Sequence, residues 1–125
     1  METLKALHTR NSVTSLSEPA PTQEEMELVF QAALRAPDHA WLRPWRFIEV
    51  TGEGRKKLGN AFLKTAKDQN KDLSEALIEK AKKSPYRAPM VLVLIADITE
   101  HPKVPEIEQI ISTGAACSKH ALSIA

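Results

Sequence analysis

Residues Leu34 to Phe47 read LRAPDHAWLRPWRF, and the reading of this stretch decides the fold. Pro37 disfavours helical geometry in the residue before it, so a helix arriving from the N-terminal side stops near Ala36. From Trp45 to Thr51 the chain alternates through Phe47, Ile48 and Val50 as a strand does, and Gly52 to Gly54 ends the run. The stretch is therefore a loop between a helix and a strand. It packs Arg35, Asp38, His39, Arg43 and Arg46 among Trp41, Trp45, Pro37 and Pro44. Arginine forks bind phosphate or carbonyl oxygens and indoles cover flat rings, so this composition suits a planar, anionic ligand. The plainer alternative makes the tryptophans core anchors and His39 a structural histidine bonded to its neighbour Asp38.

Toward the N-terminus, Thr22 with Glu25 three positions on makes a capping box, and Met26, Val29, Phe30, Ala33 and Leu34 recur at helical spacing behind it. Before that, Thr3 can cap a first helix whose Leu4, Leu7 and His8 share a face, with Arg10 at or just beyond its end. Asn11 to Pro21 reads as a loop. A cation at a helix C-terminus meets the dipole favourably, which is the plain account of Arg10.

Toward the C-terminus, Gly52, Gly54 and Gly59 are spaced GxGxxxxG, which misplaces the third glycine of a dinucleotide fingerprint. A phosphate-binding loop fails too, because Asn60 stands where its lysine is needed. Leu58, Ala61, Phe62, Thr65 and Ala66 mark one helical face, and Leu73, Ala76, Leu77 and Ala81 mark a second helix with Asp72 and Glu75 as its cap. Residues 55 to 87 carry ten Lys or Arg against four acids. With hardly any aromatic residue between the cations, this excess is a solvated surface rather than a base-stacking site. Met90 to Ala96, MVLVLIA, is a continuous apolar run expected as a strand buried on both faces of a sheet. Pro105 opens a last helix with Ile107, Ile110, Ile111 and Ala115 on an apolar face that continues through Leu122 and Ile124. That pattern reaches Ala125 without a glycine or a charged C-cap.

With 125 residues and 42% hydrophobic content, the chain is expected to form a single domain over residues 1–125 with a real core. A net charge of +1 argues against nonspecific attraction to nucleic acid. The start, METLKALHTR, has no apolar run suited to a signal peptide, and Met90 to Ala96 is too short to span a bilayer, so a cytoplasmic protein without a membrane segment is expected. The lone Cys117 makes no internal disulfide and is expected as a small core residue. Neither CxxC pairs nor clustered histidines offer metal-ligand spacing.

RAPDH (35–39) followed by PWRF (44–47) resembles the FMN-dependent nitroreductases, in particular their short single-domain members. The resemblance extends to Thr9-Arg10-Asn11-Ser12, to SEPAPTQEE from Ser17 to Glu25, to Arg87-Ala88-Pro89, to HPKVP from His101 to Pro105, and to Glu108-Gln109. It covers most of the chain in family order. The chain departs from the pattern at Thr14, where many relatives are basic, and at Ile107, where relatives tend to carry tryptophan.

The resemblance implies an α+β fold, a small mixed or antiparallel sheet packed between helices, with Trp45–Thr51 and Met90–Ala96 in one sheet. It implies that Arg10, Asn11 and Ser12 lie at the phosphate and ribityl side of FMN, and that Arg35 and His39 lie against the flavin, with Pro37 and Asp38 shaping the turn. Hydride would pass from NAD(P)H through FMN to nitroaromatics, quinones or similar acceptors in a homodimer with the flavin at the subunit interface. No catalytic side chain is expected, since the cofactor carries the chemistry. Family members continue past the position of Ala125, so the chain is expected to hold the N-terminal portion of the family domain. Two alternatives stay open: a noncatalytic remnant or interaction partner retaining part of the fold, and a nucleotide-binding module built on the basic helix after Gly54.

Overall fold

Thr22 begins the best-defined helix. Its hydroxyl accepts from the Glu25 N–H at 3.2 Å while the Glu25 carboxylate accepts from the Thr22 N–H at 2.8 Å, which satisfies two donors that a helix start leaves open. In the computed structural model, residues 3–123 are described, with side-chain surroundings described for 4–119. The helices are α1 (Thr3–Thr9), α2 (Gln23–Ala33), α3 (Glu53–Gln69), α4 (Glu75–Lys83) and α5 (Glu106–Ser123). Strands β1 (Trp45–Thr51) and β2 (Met90–Ala96) form one two-stranded antiparallel sheet, and short 3-10 turns occupy His39–Trp41 and Ser84–Arg87. Both strands have the expected boundaries. The described residues fall into two compact units. The first draws on Met1–Ser12, Pro21–Ile48 and Leu94–Ala125, and the second on Val13–Ala20 and Glu49–Val93.

In the first unit α2 packs on α5. Met26, Val29 and Ala33 of α2 are buried, and Ala33, Ala36, Trp45 and Ala116 form the centre of the core, with Phe47, Leu94 and Ala115 packed around them. Phe30 meets Phe47 with ring centroids 5.4 Å apart. Trp45, only 7% exposed, is a core anchor, whereas Leu34 at the C-cap is exposed. The Asp97 N–H donates to the Pro44 carbonyl at 3.0 Å at one end of the strand pair.

On helix α5 the apolar face named from the sequence points to solvent. Gln109, Ser112, Thr113 and Ala116 are buried, while Ile107, Ile110 and Ile111 are 60%, 44% and 64% exposed. Hydrogen bonds decide this orientation. The Gln109 amide accepts from the Thr99 N–H at 2.9 Å and donates to the carbonyls of Thr99 at 2.7 Å and Val104 at 3.2 Å. The Thr113 hydroxyl lies 2.7 Å from the Pro44 carbonyl and 2.9 Å from that of Gln109. Cys117, next to buried Ala116, falls on the exposed side, contrary to the core position expected of it. In α1 likewise, Ala6 is buried and Leu4, Leu7 and His8 are exposed. Residues Leu122 and Ile124 lie where side-chain surroundings are not described.

The expectation that β2 is buried on both faces is also corrected. Met90 to Leu94 are half-buried and Ile95 and Ala96 are exposed, because the described residues supply only one neighbouring strand.

In the second unit α3 packs on α4. The cap of α4 is Ser74, whose hydroxyl accepts from the Leu77 N–H at 3.4 Å, rather than Asp72. Arg87 closes the loop before α2 onto this unit: its Nε donates to the Thr14 carbonyl at 2.5 Å and its own carbonyl accepts from the Leu16 N–H at 2.7 Å. Arg55 donates to the Ala88 carbonyl at 2.9 Å, and its guanidinium sits 5.1 Å from the centroid of the Tyr86 ring. The expected apolar face of α3 is only partly inward. Leu58 and Ala66 are half-buried, Ala61, Phe62 and Thr65 are exposed, and the one buried residue is Gly59. A Cβ on Gly59 would stand 2.6 Å from the Lys82 carbonyl oxygen, so the glycine that fits no nucleotide motif is where two helix backbones approach.

Gly59→Ala is therefore expected to destabilise the fold. Forcing the helices apart costs roughly 1–3 kcal/mol, against about 1 kcal/mol gained in helix propensity, so a net loss near 1 kcal/mol should appear as a lower urea midpoint. An unchanged or raised midpoint would contradict the close approach.

Candidate functional site

All five expected site residues belong to the first unit. Arg10 follows α1, its N–H donating to the Ala6 carbonyl at 3.1 Å. Its guanidinium Nη1 donates to the Ser12 hydroxyl at 3.2 Å, so the guanidinium and hydroxyl of the Arg-x-Ser stretch lie together and both are exposed. Asn11 between them is exposed. One oxygen can be met by a charged fork and a neutral hydroxyl from this pair, which is the donor chemistry of a phosphate clamp.

Arg35 leaves α2 in the turn where its N–H donates to the Ala32 carbonyl at 3.1 Å. Its side chain is exposed and helps line a cavity of about 180 Å³ with Leu34, Ala36, Asp38, Trp41 and Arg43. The wall of this cavity has an unusual backbone. Ala40, Trp41 and Arg43 have φ of 60°, 55° and 49°, the left-handed region that residues with a Cβ seldom occupy.

Asp38 holds that conformation. Its carboxylate accepts from the Arg43 N–H at 2.8 Å and lies 3.7 Å from the Arg43 Nε, with the aspartate side chain only 8% exposed. Arg43 also reaches the Leu34 carbonyl at 3.4 Å and places its guanidinium carbon 4.8 Å from the centroid of the Trp41 ring. Trp41 itself is 76% exposed. The two tryptophans of the loop thus divide: Trp45 anchors the core, and Trp41 is an open shelf backed by a cation.

His39 opens the 3-10 turn and does not pair with Asp38, which is occupied by Arg43. Its Nδ1 lies 2.8 Å from a carboxylate oxygen of Glu108 on α5. The structure therefore brings Arg10 to Ser12, Arg35 to Asp38, Trp41 and Arg43, and His39 to Glu108. Among the described residues no hydrogen bond joins the Arg10–Ser12 pair to the cavity. Asp38 was expected to shape the turn, but its bond to the Arg43 N–H, Arg43 as a cavity wall and Glu108 as a histidine partner were not assigned from sequence. Glu108 shares the acidic first turn of α5 with Glu106, so it carried no distinguishing local signal. Its partner, 69 residues away, carried none.

Removing the clasp should release the loop. Asp38→Ala leaves the Arg43 N–H without its acceptor while three left-handed residues lose their restraint, at a cost of about 1–3 kcal/mol. Amide exchange at Arg43 should rise well above that of α2. Protection equal to the unsubstituted chain would show that Asp38 does not hold the loop.

The sequence matches the Nitroreductase family over residues 7–124. It is 38% identical over 93% of its length to the Escherichia coli K12 protein named "Putative NAD(P)H nitroreductase YdjA", and 41% identical over its full length to a Haemophilus influenzae protein carrying the same description without the final designation. The chain spans 62% and 66% of those two relatives. Among solved structures, a nitroreductase-like family protein from Bacillus cereus superposes with a TM-score of 0.77 at 22% identity, covering 98% of this chain and 64% of the other. A nitroreductase with bound FMN from Desulfitobacterium hafniense DCB-2 gives 0.67 at 22% identity, covering 97% and 63%. By its sequence match and its α+β architecture, this chain belongs to the nitroreductase family.

Proposed function

We propose that the chain forms one wall of an FMN site in a nitroreductase-type flavin oxidoreductase that takes hydride from NAD(P)H and reduces nitroaromatics, quinones or related acceptors. The observation that carries this reading is the donor set. A guanidinium and a hydroxyl meet at Arg10 and Ser12, and two further guanidiniums border a cavity beside an exposed indole. Phosphate needs the first set, and a flat ring with carbonyl acceptors needs the second. The names of the relatives supply the nicotinamide donor, and the FMN-bound neighbour supplies the cofactor.

Bound FMN supplies a two-electron relay between donor and acceptor. The protein's own residues place and enclose it. Arg10 and Ser12 take the phosphate side with Asn11 between them, Arg35 and His39 take the ring side, and Trp41 with Arg43 covers apolar surface from water. A cavity of about 180 Å³ lies below the roughly 300–1,000 Å³ of a small-molecule pocket, so a single wall is the natural description.

The second wall comes from another copy of the chain. Ile107, Ile110 and Ile111 project from α5 into solvent, an apolar stripe that monomers rarely leave open. Light scattering should read a dimer, and Ile111→Glu should shift it toward monomer. A monomeric unsubstituted chain would overturn the homodimer.

For the cofactor, the purified protein should show flavin absorbance that heat releases as free FMN. Arg10→Ala should weaken FMN binding by roughly tenfold to a hundredfold, the loss of one charge-assisted bond, while Arg55→Ala and Lys56→Ala change it little. Equal losses from all three would replace a phosphate clamp with diffuse electrostatics, and a chain that neither retains nor rebinds FMN would refute the reading.

A further inference from the structure

We infer that Glu108 is a positioning residue that fixes the tautomer of His39 and so turns the outer ring nitrogen of that histidine into a hydrogen-bond acceptor available to a ligand. The inference rests on the FMN reading only for the identity of that ligand. The Nδ1 of His39 stands 2.8 Å from a Glu108 carboxylate oxygen. An ionised carboxylate has no proton to give, so the hydrogen lies on Nδ1. A neutral imidazole then leaves Nε2 with a lone pair and no hydrogen. Among the described residues, Nε2 has no hydrogen-bond partner in the structure.

Stability does not account for the pair. The side chains are 55% and 47% exposed, and ion pairs this open to water add little to stability. Position accounts for it better. Glu108 precedes Gln109, which is 2% exposed and held by three hydrogen bonds, so the carboxylate rises from one of the most firmly anchored points of the unit. On the other side, His39 is flanked by Asp38, whose carboxylate is already engaged by Arg43, and by Ala40 in the left-handed region. The imidazole is thus located from both ends. Glu108 is the one carboxylate within hydrogen-bond distance of it among the described residues.

The cations of the neighbouring loop, Arg35 and Arg43, can only donate to a ligand. A flavin presents carbonyl and phosphate oxygens, which those donors meet, but it also carries an imide N–H and ribityl hydroxyls, which need an acceptor. His39 with Nε2 unprotonated is that acceptor. Without Glu108 the ring is free to carry its proton on Nε2, and His39 would no longer serve as an acceptor.

The test has two arms. Long-range proton–nitrogen correlation of the imidazole rings, recorded above the histidine titration range without flavin, should show His39 as the Nδ1–H tautomer. Glu108→Ala should shift it toward Nε2–H, and Glu108→Gln, whose amide can accept from Nδ1–H or donate to a bare Nδ1, should give a mixture of the two. In the second arm FMN binding is followed by quenching of flavin fluorescence. Glu108→Ala and His39→Ala should each weaken binding about threefold to tenfold, Glu108→Gln should fall between Glu108→Ala and the unsubstituted chain, and the double substitution should be no worse than His39→Ala alone. Riboflavin, which lacks the phosphate, should report the same His39→Ala loss.

An unchanged tautomer in Glu108→Ala overturns the inference, as do additive losses in the double variant. A His39→Ala effect present with FMN but absent with riboflavin overturns it too, because His39 would then be serving the phosphate. If the unsubstituted chain binds no flavin, the FMN reading has failed, and the tautomer arm still decides the role of Glu108.

Discussion

A single buried amide, that of Gln109, sets the arrangement of the first unit. Its three hydrogen bonds to Thr99 and Val104 satisfy loop groups that follow β2 and at the same time fix the rotation of α5 about its axis. A buried polar side chain left unsatisfied costs on the order of 1–3 kcal/mol, comparable to what full burial of one isoleucine contributes, about 1.5–3 kcal/mol. Turning α5 to bury its three isoleucines would leave the Thr99, Val104 and Pro44 groups without these partners, and that penalty opposes the turn. Everything mounted on the helix follows from that rotation. Thr113 reaches the Pro44 carbonyl, Ala116 enters the core beside Trp45, and Glu108 comes to His39.

What could be read from sequence divides along the same line. Both strands were legible to the residue, because one is an alternating run between Pro44 and Gly52 and the other an apolar run between Pro89 and Asp97, and those boundaries are local. So was the start of α2, where cap and reciprocal partner stand three residues apart. Periodicity failed at α5 and α1, since it assumes that the apolar face turns inward, and at α5 the deciding partners are carbonyls of Thr99, Val104 and Pro44 that only the folded chain supplies. Cys117 was misplaced with the same face. At α4 the cap is Ser74, two residues beyond the Asp72 read from sequence, and both residue types cap well.

The candidate site shows the same division. Arg10 and Ser12 are two residues apart, and their association was legible as a local motif. Asp38 beside His39 invited a pairing that the structure does not make. The aspartate instead reaches five residues forward to the Arg43 N–H, and the histidine reaches across to α5. A left-handed run at Ala40, Trp41 and Arg43 could not be anticipated from residues that each carry a Cβ and none of which is the usual glycine or asparagine.

That run has a kinetic consequence. Alanine at position 40, where glycine would sit without strain, narrows the loop's alternatives in the unfolded chain as well as in the folded one. The loop's conformational restriction is therefore incurred during folding, not when a molecule arrives. Association at a surface already in its final shape is governed by encounter and orientation, with no slow rearrangement ahead of it. On the proposed function, the left-handed residues beside the Arg35 cavity favour rapid capture, and differences in affinity among ligands should reside mainly in how long each one stays.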